Sequence, residues 1–219
     1  MISLDQISKS YRTRTGHRIV LDNVSVEFVS GHNFGILGAN GSGKSTLIRL
    51  IAGSELPDRG TIRRDVRVSF PLGFGGTFHG MLSGRENVAF LARIYGAPLR
   101  ATCDYVEAFA ELGEYFDMPV NTYSAGMRAR LGFAACLAID FDVFLIDEVT
   151  EIGDQRFRQR CAEAFRARMH HSDIVLATHN SRTIRQYCDR GAILADGALH
   201  LYDDIGAALA DYQSLEGGG

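Results

Sequence analysis

Lysine is almost missing from this chain of 219 residues: Lys9 and Lys44 stand against 21 arginines. Charge of either sign is not in excess, since the net charge is −3, and that balance offers no electrostatic reason to expect a nucleic-acid partner. The four cysteines, at 103, 136, 161 and 188, are widely spaced and form no Cys-x-x-Cys pair. Neither a zinc site nor a disulfide framework is indicated, and a reducing compartment fits. Long apolar runs are missing as well. The longest, Phe133 to Ile139, falls far short of a bilayer span, and the N-terminus has no charged-then-apolar leader. Any membrane association is therefore expected to come through a partner. Repeats and coiled-coil heptads are also missing. What remains is an ordinary globular composition, 46% hydrophobic and 22% charged, sufficient for one domain with a substantial core and a subdomain.

One of the two lysines falls in a pattern. Gly38, Ala39, Asn40, Gly41, Ser42, Gly43, Lys44, Ser45 and Thr46 fit the phosphate loop, a glycine, four free positions, then Gly-Lys-Ser/Thr. Glycines at 38, 41 and 43 open backbone conformations closed to other residues, so that successive N–H groups turn inward around a polyphosphate. Phe34 to Leu37 reads as a buried strand and Ser45 to Ala52 as a helix whose positive end faces the same phosphates. Lys44 then reaches the β- and γ-phosphates and Ser45 holds Mg2+. With lysine so scarce, background composition rarely produces this pattern.

Around this loop the chain alternates in period. Ile2 to Ile7 and Ile19 to Val29 alternate apolar with polar residues, which predicts antiparallel strands with Tyr11 in the turn between them. An aromatic there suits stacking on an adenine ring, and equally suits packing on its own hairpin. Leu56 to Gly60 predicts a turn, Thr61 to Phe70 a strand, and Pro71 to Gly84 a flexible glycine-rich loop. Helical periodicity follows over Arg85 to Tyr95, Cys103 to Phe116 and Ala125 to Ile139, a helical insertion in an α/β core. Strands over Val143 to Ile146, Ile174 to Ala177 and Ala192 to Leu194 then alternate with helices over Gln155 to His170 and Ser181 to Cys188. That order predicts a mostly parallel sheet. The three terminal glycines read as a flexible tail.

Three further features bear chemistry. Val143 to Ile146 ends in Asp147 and Glu148; in phosphate-loop enzymes one acid here completes the Mg2+ shell and the second polarises the attacking water. His179 follows another apolar strand, so it emerges at the same carboxyl edge, able to bond a γ-phosphate. Ser124 is a good N-cap, and Gly126 leaves the first-turn N–H groups accessible as a second anion site. An ordinary capped helix is the simpler reading of Ser124 and Gly126 alone. If the two helix ends lie on different faces, two copies arranged head to tail can sandwich two ATP molecules.

Over nearly the whole chain these motifs resemble those of ATP-binding cassette transporter ATPases. The resemblance implies a phosphate-loop α/β fold with a mixed, mostly parallel core sheet, an N-terminal antiparallel β subdomain and an inserted α-helical subdomain. The core would take roughly residues 1–84 and 140–215, and the helical subdomain roughly 85–139. By the same likeness Tyr11 matches the aromatic A-loop, Ser124 to Met127 the signature, Gly153 and Asp154 the D-loop, and His179 the switch histidine. Glu148, His179 and Lys44 would be catalytic, and Ser45 and Asp147 would hold the metal. A narrower likeness, in Phe78 to Asn87, Tyr115 to Pro119, Tyr123 to Arg128 and Asp147 to Thr150, is to capsular polysaccharide exporter ATPases, relatives of O-antigen and teichoic-acid exporters. Relatives with a C-terminal carbohydrate-binding domain need more chain than follows Leu201, which favours the capsule type. That type implies a homodimer on ATP binding, two ATPase and two permease chains, a lipid-linked polysaccharide contacted mainly by the permease, and a place on the cytoplasmic face of the bacterial inner membrane.

Two departures stand out. The signature reads Ser-Ala-Gly-Met-Arg, so Met127 replaces a hydrogen-bonding glutamine, and Ser69 to Thr77 contains no Q-loop glutamine, with His79 the nearby polar residue. The rival expectations are a cassette serving an importer or drug pump, and a soluble cassette acting on nucleic acid or ribosomes. The arginines at 156, 158, 160, 166 and 168 are the support for the second, although Glu163 and helical spacing suit a solvated face.

Overall fold

Alternation of apolar residues from Ile2 builds the first sheet of this computed structural model, which describes residues 1–14, 16–72, 78–147 and 155–217. Strand β1 (Ile2–Thr13) pairs antiparallel with β2 (Gly16–Phe28) and with β4 (Arg59–Arg64), in the order β2-β1-β4. Ile2, Leu4 and Ile7 from β1 and Val20, Leu21, Val24 and Phe28 from β2 enter the core. Tyr11 lies within β1, opposite Arg18, and not in the expected turn. The apolar alternation stops at Ile7 where the hairpin leaves the core, but backbone pairing continues to Thr13 opposite Gly16.

The second sheet has the order β5-β6-β3-β7-β8. Strands β3 (Phe34–Leu37), β5 (Val143–Asp147), β6 (Asp173–Ala177) and β7 (Arg190–Ala195) run parallel. Their near-continuous apolar runs suit strands covered on both faces. Strand β8 (Ala198–Tyr202) returns antiparallel to β7 through Asp196 and Gly197, both at positive φ. The sequence expectation contained neither β8 nor the helix α7 (Ile205–Gly217) that follows, whose Ala208 and Leu209 are buried. Gly217 thus ends a helix, and the last two glycines lie outside the described residues. Helices α1 (Lys44–Ala52) and α6 (Ser181–Tyr187) complete this part, with Leu47, Ile48, Leu50 and Ile51 of α1 buried against the sheet core.

The strand expected over Thr61 to Phe70 is in fact two features. β4 ends at Arg64, and Val68 then forms a parallel bridge with Val143 of the other sheet. The Ser69 N–H donates to the Val143 carbonyl at 2.9 Å, and the Leu145 N–H donates to Ser69 Oγ at 2.9 Å. Alternation in this stretch is real, but it serves two sheets in turn.

Contacts divide the chain into two units. The first is Met1–Pro71, Asp142–Glu148 and Ser172–Gly219; the second is Leu72–Phe141 and Val149–His171. The second holds α2 (Gly84–Ile94), α3 (Leu99–Ala110), α4 (Ala125–Ala138) and α5 (Gln155–Met169). Helix α2 starts at a capping box, in which Ser83 Oγ accepts from the Glu86 N–H and Glu86 accepts from the Ser83 N–H. Helix α3 stops at Ala110, short of the expected Phe116, because Glu111 turns left-handed at φ 51°. Phe116 is buried all the same, from a 3-10 turn at Gly113–Asp117. Phe109 stacks on Phe133 and meets Phe157 edge-on, with centroids 6.3 Å and 5.8 Å apart. The arginine series of α5 is partly used here. Arg160 binds Glu111 and the Phe109 carbonyl and lies over the Phe109 ring, while Arg168 binds Asp140 and the Leu137 carbonyl. Those cations complete a helix-packing face, which weakens the nucleic-acid expectation.

Candidate functional site

Strand β3 delivers the chain to the carboxyl edge of the parallel sheet at Leu37, and Gly38 to Gly43 turn it into α1. A Cβ on Gly43 (φ 113°) would lie 2.1 Å from Val20 Cγ1, and one on Gly38 (φ 156°) 2.6 Å from the Leu194 carbonyl oxygen. The loop is therefore pressed between the antiparallel sheet and β7, with room for glycine alone. Lys44 opens α1 and folds back, its ammonium donating to the carbonyls of Gly38 at 2.6 Å and Ala39 at 3.0 Å. No acidic residue occupies the first turn of α1, so the helix end keeps its positive field. Ser42 Oγ is buried with no hydrogen-bond partner among the described residues.

A cavity of about 330 Å³ opens beside this loop, within the range of small-molecule sites. Of the residues expected from sequence, Tyr11, Asn40, Gly41, Gly43, Lys44, Ser45, Thr46, Asp147 and His179 line it. The strand register explains the convergence. Asp147 pairs with Ala177 on the neighbouring strand, and His179 follows two residues later, so both side chains issue at one edge. Gly38, Ala39 and Ser42 instead line a second cavity of about 600 Å³, between the loop and the β7–β8 turn. Glu148, Gly153 and Asp154 lie outside the described residues, as do Gly73 to Thr77 of the loop lacking glutamine.

Sequence reasoning missed Arg18, Val20 and Thr178 in the first cavity. Arg18 donates to the Gly41 carbonyl. Hairpin register was the available signal, since Arg18 faces Tyr11 across the pair. Tyr11 itself is half-buried and tethered. Its hydroxyl donates to Glu55 Oε1 at 2.6 Å, accepts from Arg49 Nη2 at 3.1 Å, and lies 3.3 Å from Thr46 Oγ1. Burial pushes the Glu55 carboxyl up, but the hydrogen bonds from Tyr11, Arg49 and Lys9 outweigh it and hold the group below its ordinary value.

Ser124 and Gly126 belong to the second unit. Ser124 caps α4 by accepting from the Met127 N–H at 3.2 Å, and Ser124, Ala125 and Gly126 are all exposed. A Cβ on Gly126 would meet nothing closer than Ser124 Oγ at 3.9 Å, and the first turn of α4 has no acidic residue. These first-turn N–H groups are thus open to an anion. Among the described residues no cluster of His, Cys, Asp or Glu makes a metal site by itself, and no helix is long and apolar enough to cross a membrane.

Residues 21–151 match the ABC transporter family. The chain is 43% identical to the Polysialic acid transport ATP-binding protein KpsT of Escherichia coli, over 97% of this chain and 99% of that one. It is 45% identical to the Capsule polysaccharide export ATP-binding protein CtrD of Neisseria meningitidis serogroup B, over 98% of this chain and all of that one. A solved structure of the ATP binding subunit of an ABC transporter has the same fold, with a TM-score of 0.75 at 21% identity over 98% of each chain. The chain belongs to the ABC transporter family, as one of its ATP-binding ATPases.

Proposed function

We propose that this chain is the motor of an exporter that moves lipid-linked capsular polysaccharide across the bacterial inner membrane. The observation that bears most weight is full-length similarity to two ATP-binding proteins named for transport of polysialic acid and of capsule polysaccharide. In this reading the cassette core takes the first unit and the helical subdomain the second. The protein sits on the cytoplasmic face as two copies beside two permease chains. Met81, Phe90 and Ile94 of the second unit are 71%, 57% and 58% exposed, apolar surface suited to a membrane-protein partner.

ATP is bound by backbone N–H groups of Gly41 to Lys44 and by the ammonium of Lys44, which leaves the Gly38 and Ala39 carbonyls for phosphate oxygens. Tyr11 offers its ring to the base. The Ser45 hydroxyl and the Asp147 carboxylate line the same cavity, and two oxygen donors with phosphate and water completing the shell fit Mg2+. Ser45 and Asp147 would hold the ion there, and its positive charge would stabilise negative charge developing on the phosphate. Glu148, next after Asp147, accepts a proton from the attacking water, and His179 hydrogen-bonds the γ-phosphate. The N–H groups at Ser124 and Gly126 of a second copy close over the same phosphate, giving a head-to-tail dimer with two ATP molecules. Met127 in place of glutamine leaves that closure to backbone groups and the Ser124 hydroxyl.

The test is made in cells of the source organism carrying Glu148→Gln, with polysaccharide extracted separately from surface and cytoplasm. Loss of acidic, lipid-linked polymer outside with its accumulation inside is expected. A normal surface with no glycan retained inside would leave the ATPase chemistry standing and move the cargo to an importer or drug pump.

A further inference from the structure

The Tyr11 hydroxyl is held by a set of polar groups, two of them, Arg49 and Glu55, outside the phosphate loop. Glu55 lies just past the end of α1, beyond the Gly53 cap, and its two oxygens are divided: Oε1 accepts from the Tyr11 hydroxyl at 2.6 Å, and Oε2 accepts from Arg49 Nε at 2.8 Å. Arg49 turns a second nitrogen, Nη2, to the Tyr11 hydroxyl at 3.1 Å and to Thr46 Oγ1 at 3.1 Å. Lys9, two residues before Tyr11 on β1, reaches Glu55 Oε1 at 3.0 Å and lies 5.4 Å from the centre of the Tyr11 ring. The carboxylate is well sheltered, its side chain 19% exposed. Hydrogen bonds to a charged acceptor in such a place are stronger and more directional than those between neutral groups.

Thr46 is the third residue of α1, within the turn whose N–H groups face the phosphates, and it is buried. One carboxylate therefore joins two subsites. It fixes the aromatic ring through the hydroxyl, and through Arg49 it fixes the same hydroxyl to the helix that carries Lys44 and Ser45. Without Glu55 the hydroxyl loses its charged acceptor and Arg49 loses the carboxylate that orients it, so the ring gains side-chain freedom that it must give up each time a base binds.

We propose that Glu55 is a positioning residue for the nucleotide base, locking the Tyr11 ring in register with the phosphate loop so that base and phosphates are bound as one rigid unit. The inference rests on the reading of Tyr11 as the base platform. Glutamine at 55 puts an NH2 donor in place of one of the two acceptor oxygens, so it cannot accept from the Tyr11 hydroxyl and from Arg49 Nε in the two-oxygen geometry of the carboxylate. Immobilising one side chain on binding costs a factor of roughly 3–10 in affinity, which sets the size of the effect.

The experiment compares the full chain with Glu55→Gln, Tyr11→Phe, their double variant and Tyr11→Ala, measuring the dissociation constants of ATP and of inorganic triphosphate, each with magnesium. Glu55→Gln and Tyr11→Phe are each expected to weaken ATP by about 3–10-fold and to leave triphosphate unchanged, with no further loss in the double variant. Equal weakening of ATP and triphosphate by Glu55→Gln would show that the carboxylate merely supports α1, and would overturn the proposal. Additive losses in the double variant, or unchanged ATP affinity in Glu55→Gln, would overturn it too. Tyr11→Ala separates the two readings, because ATP affinity unaltered by loss of the ring removes the base platform itself. If Glu55→Gln does not fold, Tyr11→Phe decides alone, since it keeps the ring and deletes only the tether.

Discussion

The Lys44 ammonium lies 2.6 Å from the carbonyl oxygen of Gly38, folded across the loop that Lys44 itself closes. A compact, strongly hydrated cation with rotatable donors can exchange those carbonyls for phosphate oxygens without moving the helix it stands on. Lys44→Ala is expected to weaken ATP by about 100-fold or more, the worth of two charge-assisted hydrogen bonds, while far-UV circular dichroism stays that of the parent. Lys44→Arg is expected to rescue little, because a planar fork does not fit a cradle shaped for a point charge. Titration with ATP checks both, and near-parent affinity in Lys44→Ala would remove the lysine from the site.

Gly43 leads to a separate expectation about folding. A methyl group there meets Val20 at 2.1 Å, and the backbone at φ 113° is strained for any L side chain. Gly43→Ala should cost about 2–4 kcal/mol, combining left-handed strain with overpacking. A thermal melt reads the loss. Trimming the partner with Val20→Ala in the same chain should recover part of it, and absence of any recovery would mean that strain alone is responsible.

Most of this architecture was legible because each central strand is short, apolar and bounded by a residue with chemistry. Phe34 to Leu37 before Gly38, Val143 to Ile146 before Asp147 and Ile174 to Ala177 before His179 announce their edge of the sheet. The β7–β8 hairpin was missed although Asp196 and Gly197 are the favoured pair for a two-residue turn; the strand after it is only five residues long, and Leu199 alone among them is buried. Tyr11 was assigned to a turn because alternation reports burial and is silent where a hairpin extends into solvent. Tethering by Glu55 was out of reach for a different reason: Glu55 and Tyr11 are 44 residues apart, and nothing local in either segment encodes their meeting.

Acid should loosen the same corner of the protein. Glu55 is held below its ordinary value of 4.5 by its bonds to Tyr11, Arg49 and Lys9, which outweigh burial. Asp58 is likewise lowered, by the Ser10 backbone N–H and hydroxyl. A carboxyl depressed on folding contributes stability that is complete above its unfolded value and is lost as pH falls through the folded one. Stability is therefore expected to be flat in these groups near neutral pH and to fall below about pH 4.5. In Glu55→Gln that acid limb should be shallower, as read by urea midpoints at a series of pH values; an unchanged limb would assign it to other carboxylates.

The second unit permits a test that leaves nucleotide untouched. Ser83 and Glu86 satisfy each other's N–H groups at the start of α2, with bonds of 3.1 Å and 2.8 Å. Ser83→Ala orphans one of those donors and should cost about 1 kcal/mol, with ATP affinity unchanged because Ser83 and the phosphate loop belong to different units. Calorimetry and ATP titration on one preparation decide it, and a change in affinity would tie α2 to the nucleotide site.

The last expectation separates the two adjacent acids. Asp147 lines the cavity with Ser45, and its replacement by asparagine removes a negative oxygen donor from the proposed metal site, so Asp147→Asn should raise the magnesium concentration needed for ATP binding. Glu148→Gln should leave that requirement as it is, since the proposed part of Glu148 is to take a proton from water. Loss of a general base lowers turnover by about 10²–10⁴-fold, and unhydrolysed ATP then holds two copies together. Single-turnover hydrolysis and size-exclusion chromatography with ATP measure the two consequences on the same sample. Dimer accumulation with slow hydrolysis in Glu148→Gln, and a shifted magnesium midpoint in Asp147→Asn alone, are expected. Parent-like turnover in Glu148→Gln would move the base to another residue, with His179, which lines the cavity, the next to test.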